Sequence, residues 1–86
     1  MERYYEGVSD RRWAFAAGML SARLSSHTGA AVLAQRYASY PNAEIRLRED
    51  GHGAVHATLR AGVRHFDETA RLVWTGDRWA IDQLTP

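Results

Sequence analysis

The segment Arg71 to Gln83 constrains the fold of this chain most strongly. Leu72 and Trp74 alternate with polar residues, Gly76-Asp77 turns the chain, and Trp79 and Ile81 alternate again. Apolar residues at period two on both sides of a Gly-Asp pair predict two half-buried antiparallel strands joined as a hairpin, with a tryptophan on each arm. The hairpin specifies architecture and carries no chemistry of its own.

The same period extends upstream. Ile45 and Leu47 alternate with Arg46 and Arg48, Asp50-Gly51-His52-Gly53 turns the chain, and Val55, Ala57 and Leu59 alternate with His56, Thr58 and Arg60. A further turn is expected within Ala61 to Asp67, ahead of Ala70, Leu72 and Trp74. Before Pro41 the spacing is helical. Glu2 to Gly7 reads as the tail of a helix, ended by its glycine. Ser9 or Asp10 is expected to cap a second helix that sets Trp13, Ala17, Leu20 and Leu24 on one stripe. Thr28 is expected to cap a third, running to about Ser39, with Val32, Leu33, Arg36, Tyr37 and Tyr40 on its buried side. Gly18 interrupts the second helix at a cost of ~1 kcal/mol relative to alanine, which suggests close approach of another element. The expected fold class is α+β: two to three N-terminal helices packed on one face of a curved, cone-like, four-stranded antiparallel sheet. The helices must supply the second layer, because Ile45, Leu47, Val55, Leu59, Leu72, Trp74, Trp79 and Ile81 need one.

Composition sets outer limits. The chain has 86 residues, enough for one domain over 1–86, and a domain of that size buries only about 60–65% of its unfolded surface. Hydrophobic content of 45% and charged content of 24% belong to a globular protein rather than a disordered one. A net charge of +1 argues against wholesale electrostatic attachment to nucleic acid or membrane. All 11 basic residues are arginine. That reads as codon usage in a GC-rich genome, the alternative being arginine chosen for bidentate anion contacts. With no cysteine, disulfides, thiolate catalysis and cysteine metal sites are excluded. No apolar run approaches the ~20 residues of a membrane span. Tyr4 and Tyr5 follow the first residue almost at once, and the expectation is a segment cut from something longer.

Three elements together resemble the NTF2-like superfamily: the Tyr4-Tyr5 opening, the Arg36-Tyr37-Ala38-Ser39-Tyr40 helix end, and the closing strand Arg78-Trp79-x-Ile81-Asp82. The chain looks closest to small SnoaL-like members from actinobacteria, which are often extracytoplasmic domains of membrane-anchored proteins; a cytoplasmic location is the alternative. The first helix is barely present, and there is little room for the early hairpin of larger members. The resemblance implies either an enzyme of the cyclase or isomerase type or a non-catalytic binding and assembly domain. The preferred expectation is a non-enzymatic ligand- or protein-binding module without cofactor, a homodimer or a binder of an acidic protein through the sheet face.

Enzymes that remove a proton beside a carbonyl need a carboxylate or histidine base and a donor for the developing oxyanion. Tyr37, Tyr40, His56 and Asp82 are the catalytic candidates, Tyr5 and His65 being further residues of the same types. His56 and Asp82 fall out of phase with the apolar strand positions and are expected to point away from the helices. Tyr37 and Tyr40 are expected as wall residues with their hydroxyls at the edge. A pocket for a small apolar ligand would be lined by Trp13, Tyr37, Tyr40, Trp74 and Trp79. Arg46, Arg48, Arg60 and Arg71 share the open sheet face, where Glu49, Asp67, Glu68 and Asp82 are the expected ion-pair partners. His27, His52, His56 and His65 lack the spacing of a metal site. That face has no aromatic residues for stacking bases, so nucleic acid is not an expected partner.

Overall fold

A computed structural model describes residues 2–86. The alternating segments form β1 (Glu44–Glu49), β2 (Ala54–Ala61), β3 (Arg64–Trp74) and β4 (Trp79–Thr85), paired in chain order as one antiparallel sheet. Register places Ile45 beside Leu59 and Leu59 beside Phe66, and likewise Leu47 beside Ala57 and Ala57 beside Glu68. One face therefore carries the apolar set, and the other carries Arg46, Arg48, His56, Thr58, Arg60, Asp67, Thr69 and Arg71.

The turn between β2 and β3 falls inside the expected segment, at its start. Ala61 pairs with Arg64, leaving only Gly62-Val63 as the loop. Gly62 has φ 66°, the positive value that a type II′ hairpin turn requires at its first loop position. Arg64 to Asp67 consequently lie in strand. Gly62→Ala is expected to cost about 1–2 kcal/mol through left-handed strain, read as a melting temperature lower by about 5 °C or more.

Four short helices replace the expected two or three: α1 (Glu2–Ser9), α2 (Trp13–Ala17), α3 (Ala22–Ser25) and α4 (Ala30–Arg36). The second helix breaks because its middle becomes a partner for β4. Ser21 N–H donates to the Ile81 carbonyl at 2.7 Å, and Ile81 N–H donates to that of Met19 at 2.9 Å. Arg78 reaches back and donates to the carbonyls of Gly18 (2.8 Å) and Leu20 (3.3 Å), satisfying acceptors at the end of α2. Gly18 ends α2, and a Cβ there would meet only carbonyl oxygens of its own turn, so the close approach lies elsewhere. It lies at Gly7, where a Cβ would stand 2.9 Å from Phe15 Cδ1; the missing side chain lets α1 pack against α2. Neither Ser9, Asp10 nor Thr28 caps a helix. Arg12 and Gly29 occupy those positions without side-chain bonds, while Ser21 caps α3 by accepting from Leu24 N–H at 3.1 Å.

The helices cover the apolar face, with Tyr4, Leu33, Tyr37, Val55, Leu59 and Ile81 fully buried between the layers. The cover is incomplete. The eleven residues of β3 extend ~35 Å, whereas the eight of α1 make a rod of ~12 Å. Trp74 and Trp79, expected to be half-buried, therefore remain 53% and 61% exposed at the hairpin end. Among the described residues no helix is long and apolar enough to cross a membrane.

Candidate functional site

The interior holds a charged group. Glu68 sits on the helix-covered face of β3, in line with Ala70 and Leu72, and its side chain has 0% exposure. A carboxyl group removed from water must find donors. Tyr5 Oη donates to Oε2 at 2.7 Å, Tyr37 Oη donates to the same oxygen at 2.6 Å, and Arg36 Nε donates to Oε1 at 3.0 Å. With its proton committed to Glu68, the Tyr37 hydroxyl accepts from Tyr4 at 2.9 Å. Arg36 Nη2 stands 2.9 Å from Oε1 but is not aligned for a hydrogen bond and has no other acceptor. The guanidinium also lies over the Phe66 ring, 5.3 Å from its centroid.

Local sequence explains the convergence. Tyr4 and Tyr5 are buried with Gly7 and Val8 on α1, and α4 ends at Arg36 with Tyr37 as its cap. Burial pushes the Tyr5 phenol far above its ordinary range, and the Glu68 charge and hydrogen bond push it further. Tyr37 rises for the same leading reason, with Tyr4 and Glu68 adding to it. Tyr4 rises through burial, partly offset by its bond to Tyr37. Burial pulls the Arg36 guanidinium down, but the charge and hydrogen bond of Glu68 outweigh it and the net shift is upward.

The structure distributes the sequence candidates over four places. Tyr37 lies in the buried cluster, with its hydroxyl on Glu68 rather than at an edge, because the helix end turns it inward; Trp13 stacks on it at 6.0 Å. Tyr40 is half-buried against Phe66 and donates to the His65 carbonyl at 3.4 Å. His56 faces the open side, where Nδ1 meets Thr69 Oγ1 at 3.1 Å and Nε2 meets Asp50 Oδ2 at 3.3 Å. Asp82 leaves the expected phase because the β3–β4 register shifts at Arg71/Leu72, pairing Leu72 with Ile81 and Arg71 with Gln83. Its carboxylate accepts from Ser21 Oγ at 2.7 Å and Arg23 Nη2 at 2.9 Å, contacts that hold its pKa below the usual carboxylate range, Arg23 most strongly.

Glu68 and Asp82 are thus not counter-ions of the open-face arginines. They pair with Arg36 and Arg23, both on helices. Arg46 pairs with Glu44 at 3.1 Å, and Asp67 accepts from Thr58 at 2.8 Å. Arg48, Arg60 and Arg71 form no ion pair among the described residues.

The fourth place is the hairpin end. Trp74 and Trp79 meet edge to face with centroids 5.5 Å apart. Trp79 and Leu72 form one wall of an open cleft of ≈ 410 Å³, closed on its other sides by Val55, Ala54, Glu49 and the Gly51–Gly53 turn. A separate slot of ≈ 40 Å³, also lined by Leu72 and Trp79, lies against Tyr4, Met19 and Ile81. Of the five residues expected to line a pocket, Trp79 lines the larger cleft, whereas Trp13, Tyr37, Tyr40 and Trp74 do not. Glu68, a buried acid, escaped the sequence reading because it is expected there on the open face as an ion-pair partner of the arginines; extending the alternation of Ala70 and Leu72 backward would have found it. Among the described residues no group of three or more histidines and carboxylates stands close enough to hold a metal. No protein-family model, curated protein or solved structure matches this chain.

Proposed function

We propose that this protein is a non-enzymatic, NTF2-like binding module that takes a small apolar ligand in the cleft beneath Trp79. The observation that carries the reading is Trp79, more than half exposed on the wall of a ≈ 410 Å³ cleft and packed edge to face on Trp74, which is also more than half exposed. Exposed tryptophans cost solvation unless a partner covers them, and they dominate binding energy where one does. The cleft also falls in the size range of small-molecule sites. Glu49 at its rim favours a neutral or cationic ligand over an anion. The cyclase or isomerase alternative asks for an acid or histidine that substrate can touch. The 0% exposure of the Glu68 side chain and its committed oxygens favour binding over that chemistry. In the same reading the open face bearing Arg46, Arg48, Arg60 and Arg71 meets a protein partner, an acidic one rather than a second copy, whose arginines would repel.

The neutral fluorophore N-phenyl-1-naphthylamine tests the cleft. Its emission is expected to rise on titration, and Trp79→Ala is expected to weaken binding about tenfold or more while the far-ultraviolet spectrum stays unchanged. Equal binding by the variant, or no binding by the parent, removes this reading.

A further inference from the structure

The two edges of the sheet are treated differently. On β4 the outer edge is occupied: Met19 to Ser21 pair with Ile81, Asp82 is tied to Ser21 and Arg23, and Arg78 is tied to Gly18 and Leu20. On β1 nothing among the described residues pairs with the outer edge. A six-residue edge strand leaves alternate backbone N–H and C=O groups directed at solvent, a ready template for another strand.

The surroundings of that edge have a definite chemistry. On the helix side, β1 offers Ile45 and Leu47, only partly buried, and these line an open groove of ≈ 490 Å³ with Tyr5, Glu6, Ser9 and Ala43. On the open side it offers Arg46, ion-paired with Glu44, and Arg48, which forms no ion pair among the described residues, both arginines exposed. A strand laid along β1 would set alternate side chains over the groove and the others beside the arginines. Apolar residues suit the first set and carboxylates the second.

We infer that β1 is a strand-addition site for an extended peptide segment of alternating apolar and acidic residues, which joins the sheet as its fifth strand. Main-chain hydrogen bonds supply the attachment, the groove beside Ile45 and Leu47 takes the apolar side chains, and Arg46 and Arg48 select the acidic ones. A second copy of this chain fits less well. Paired antiparallel about its centre, β1 would set Arg46 against Arg48, or against itself with Glu44 opposite Arg48, so either register keeps a like-charge pair that an acidic strand would not. The site is independent of the tryptophan cleft, and its test leaves Trp79 in place.

A fluorescein-labelled Glu-Val-Glu-Val-Glu-Val-Glu peptide is the probe, read by polarisation against the full chain. It is expected to bind, and the Arg46→Glu/Arg48→Glu variant to bind about tenfold more weakly with an unchanged circular dichroism spectrum. Two N-methylated peptides distinguish strand addition from charge attraction alone. All valine amides point to one edge of the added strand and all glutamate amides to the other, so methylating one set is expected to abolish binding and methylating the other to spare it. Equal binding of both methylated forms overturns the inference, as does equal binding of the Lys-Val counterpart or no binding by the parent peptide. A dimer in sedimentation equilibrium that the peptide fails to dissociate, and that Arg46→Glu/Arg48→Glu abolishes, would assign the edge to a second copy and also overturn it.

Discussion

Glu68→Ala is expected to bring this domain to the margin of unfolding at 25 °C. Removing one partner of a buried ion pair costs about 3–5 kcal/mol, because the remaining charge stays in the interior without compensation. Here the remaining charge is Arg36, whose Nε loses its acceptor while Nη2 already lacks one; its side chain is 24% exposed, which places the cost at the lower end of that range. Tyr5 and Tyr37 lose theirs as well, at about 1–3 kcal/mol for each unsatisfied hydroxyl. A domain of this size has only about 5–10 kcal/mol in total. Urea denaturation measures the loss, and a shift below about 1 kcal/mol would show that water or rearrangement satisfies the cluster. Arg36→Leu combined with Glu68→Leu removes both charges together. That pair is expected to be more stable than Glu68→Ala alone, because no buried charge is left unpaired, and the difference is the coupling between the two residues.

Alkaline pH is expected to unfold the protein in one cooperative step that coincides with ionisation of its buried phenols. Tyr4, Tyr5 and Tyr37 are each held protonated well above the ordinary tyrosine pKa near 10, chiefly because burial excludes water from the phenolate. The folded pKa values are raised, so above pH ~10 the unfolded chain releases protons that the folded chain keeps. The unfolded state then binds fewer protons, and stability falls as pH rises. Stability from these groups is whole below pH ~10 and declines above it by about 1.4 kcal/mol per pH unit for each tyrosine, at most about 4 for the three together. Absorbance at 295 nm followed alongside circular dichroism provides the measurement. Phenolate signal from these residues is expected to appear with the loss of secondary structure. A smooth titration of all tyrosines inside a still-folded protein would contradict the buried cluster.

The strands and their phase were legible because alternation is a local property. Each of Ile45, Leu47, Val55, Ala57, Leu59, Leu72 and Ile81 reaches the covered face that its spacing predicts. The helices were legible in place but not in extent. A stripe from Trp13 to Leu24 satisfies helical spacing, yet Met19 to Ser21 gain more by pairing with Ile81, a residue some sixty positions away. His56 lies on the open face, as its phase requires, whereas Asp82 does not follow its phase, because a register shift in β4 carries it toward α3.

Glu68 shows most clearly where local reading stops. Nothing in its own composition separates it from Asp67 or Glu49; an acid beside an acid in a polar stretch reads as solvated surface. Its fate follows from a two-residue turn at Gly62, which brings it into the alternation, and from donors 31, 32 and 63 residues away. Trp74 and Trp79 are the converse case, apolar residues in the correct phase left uncovered because the helices are too short to reach them. By itself the sequence determined that a four-stranded antiparallel sheet forms and which side chains share each face, since a strand sends successive side chains to opposite sides wherever it occurs. Only the tertiary structure decided which carboxyl group loses its water and which tryptophans keep theirs, because burial depends on what distant segments of the chain bring to each face.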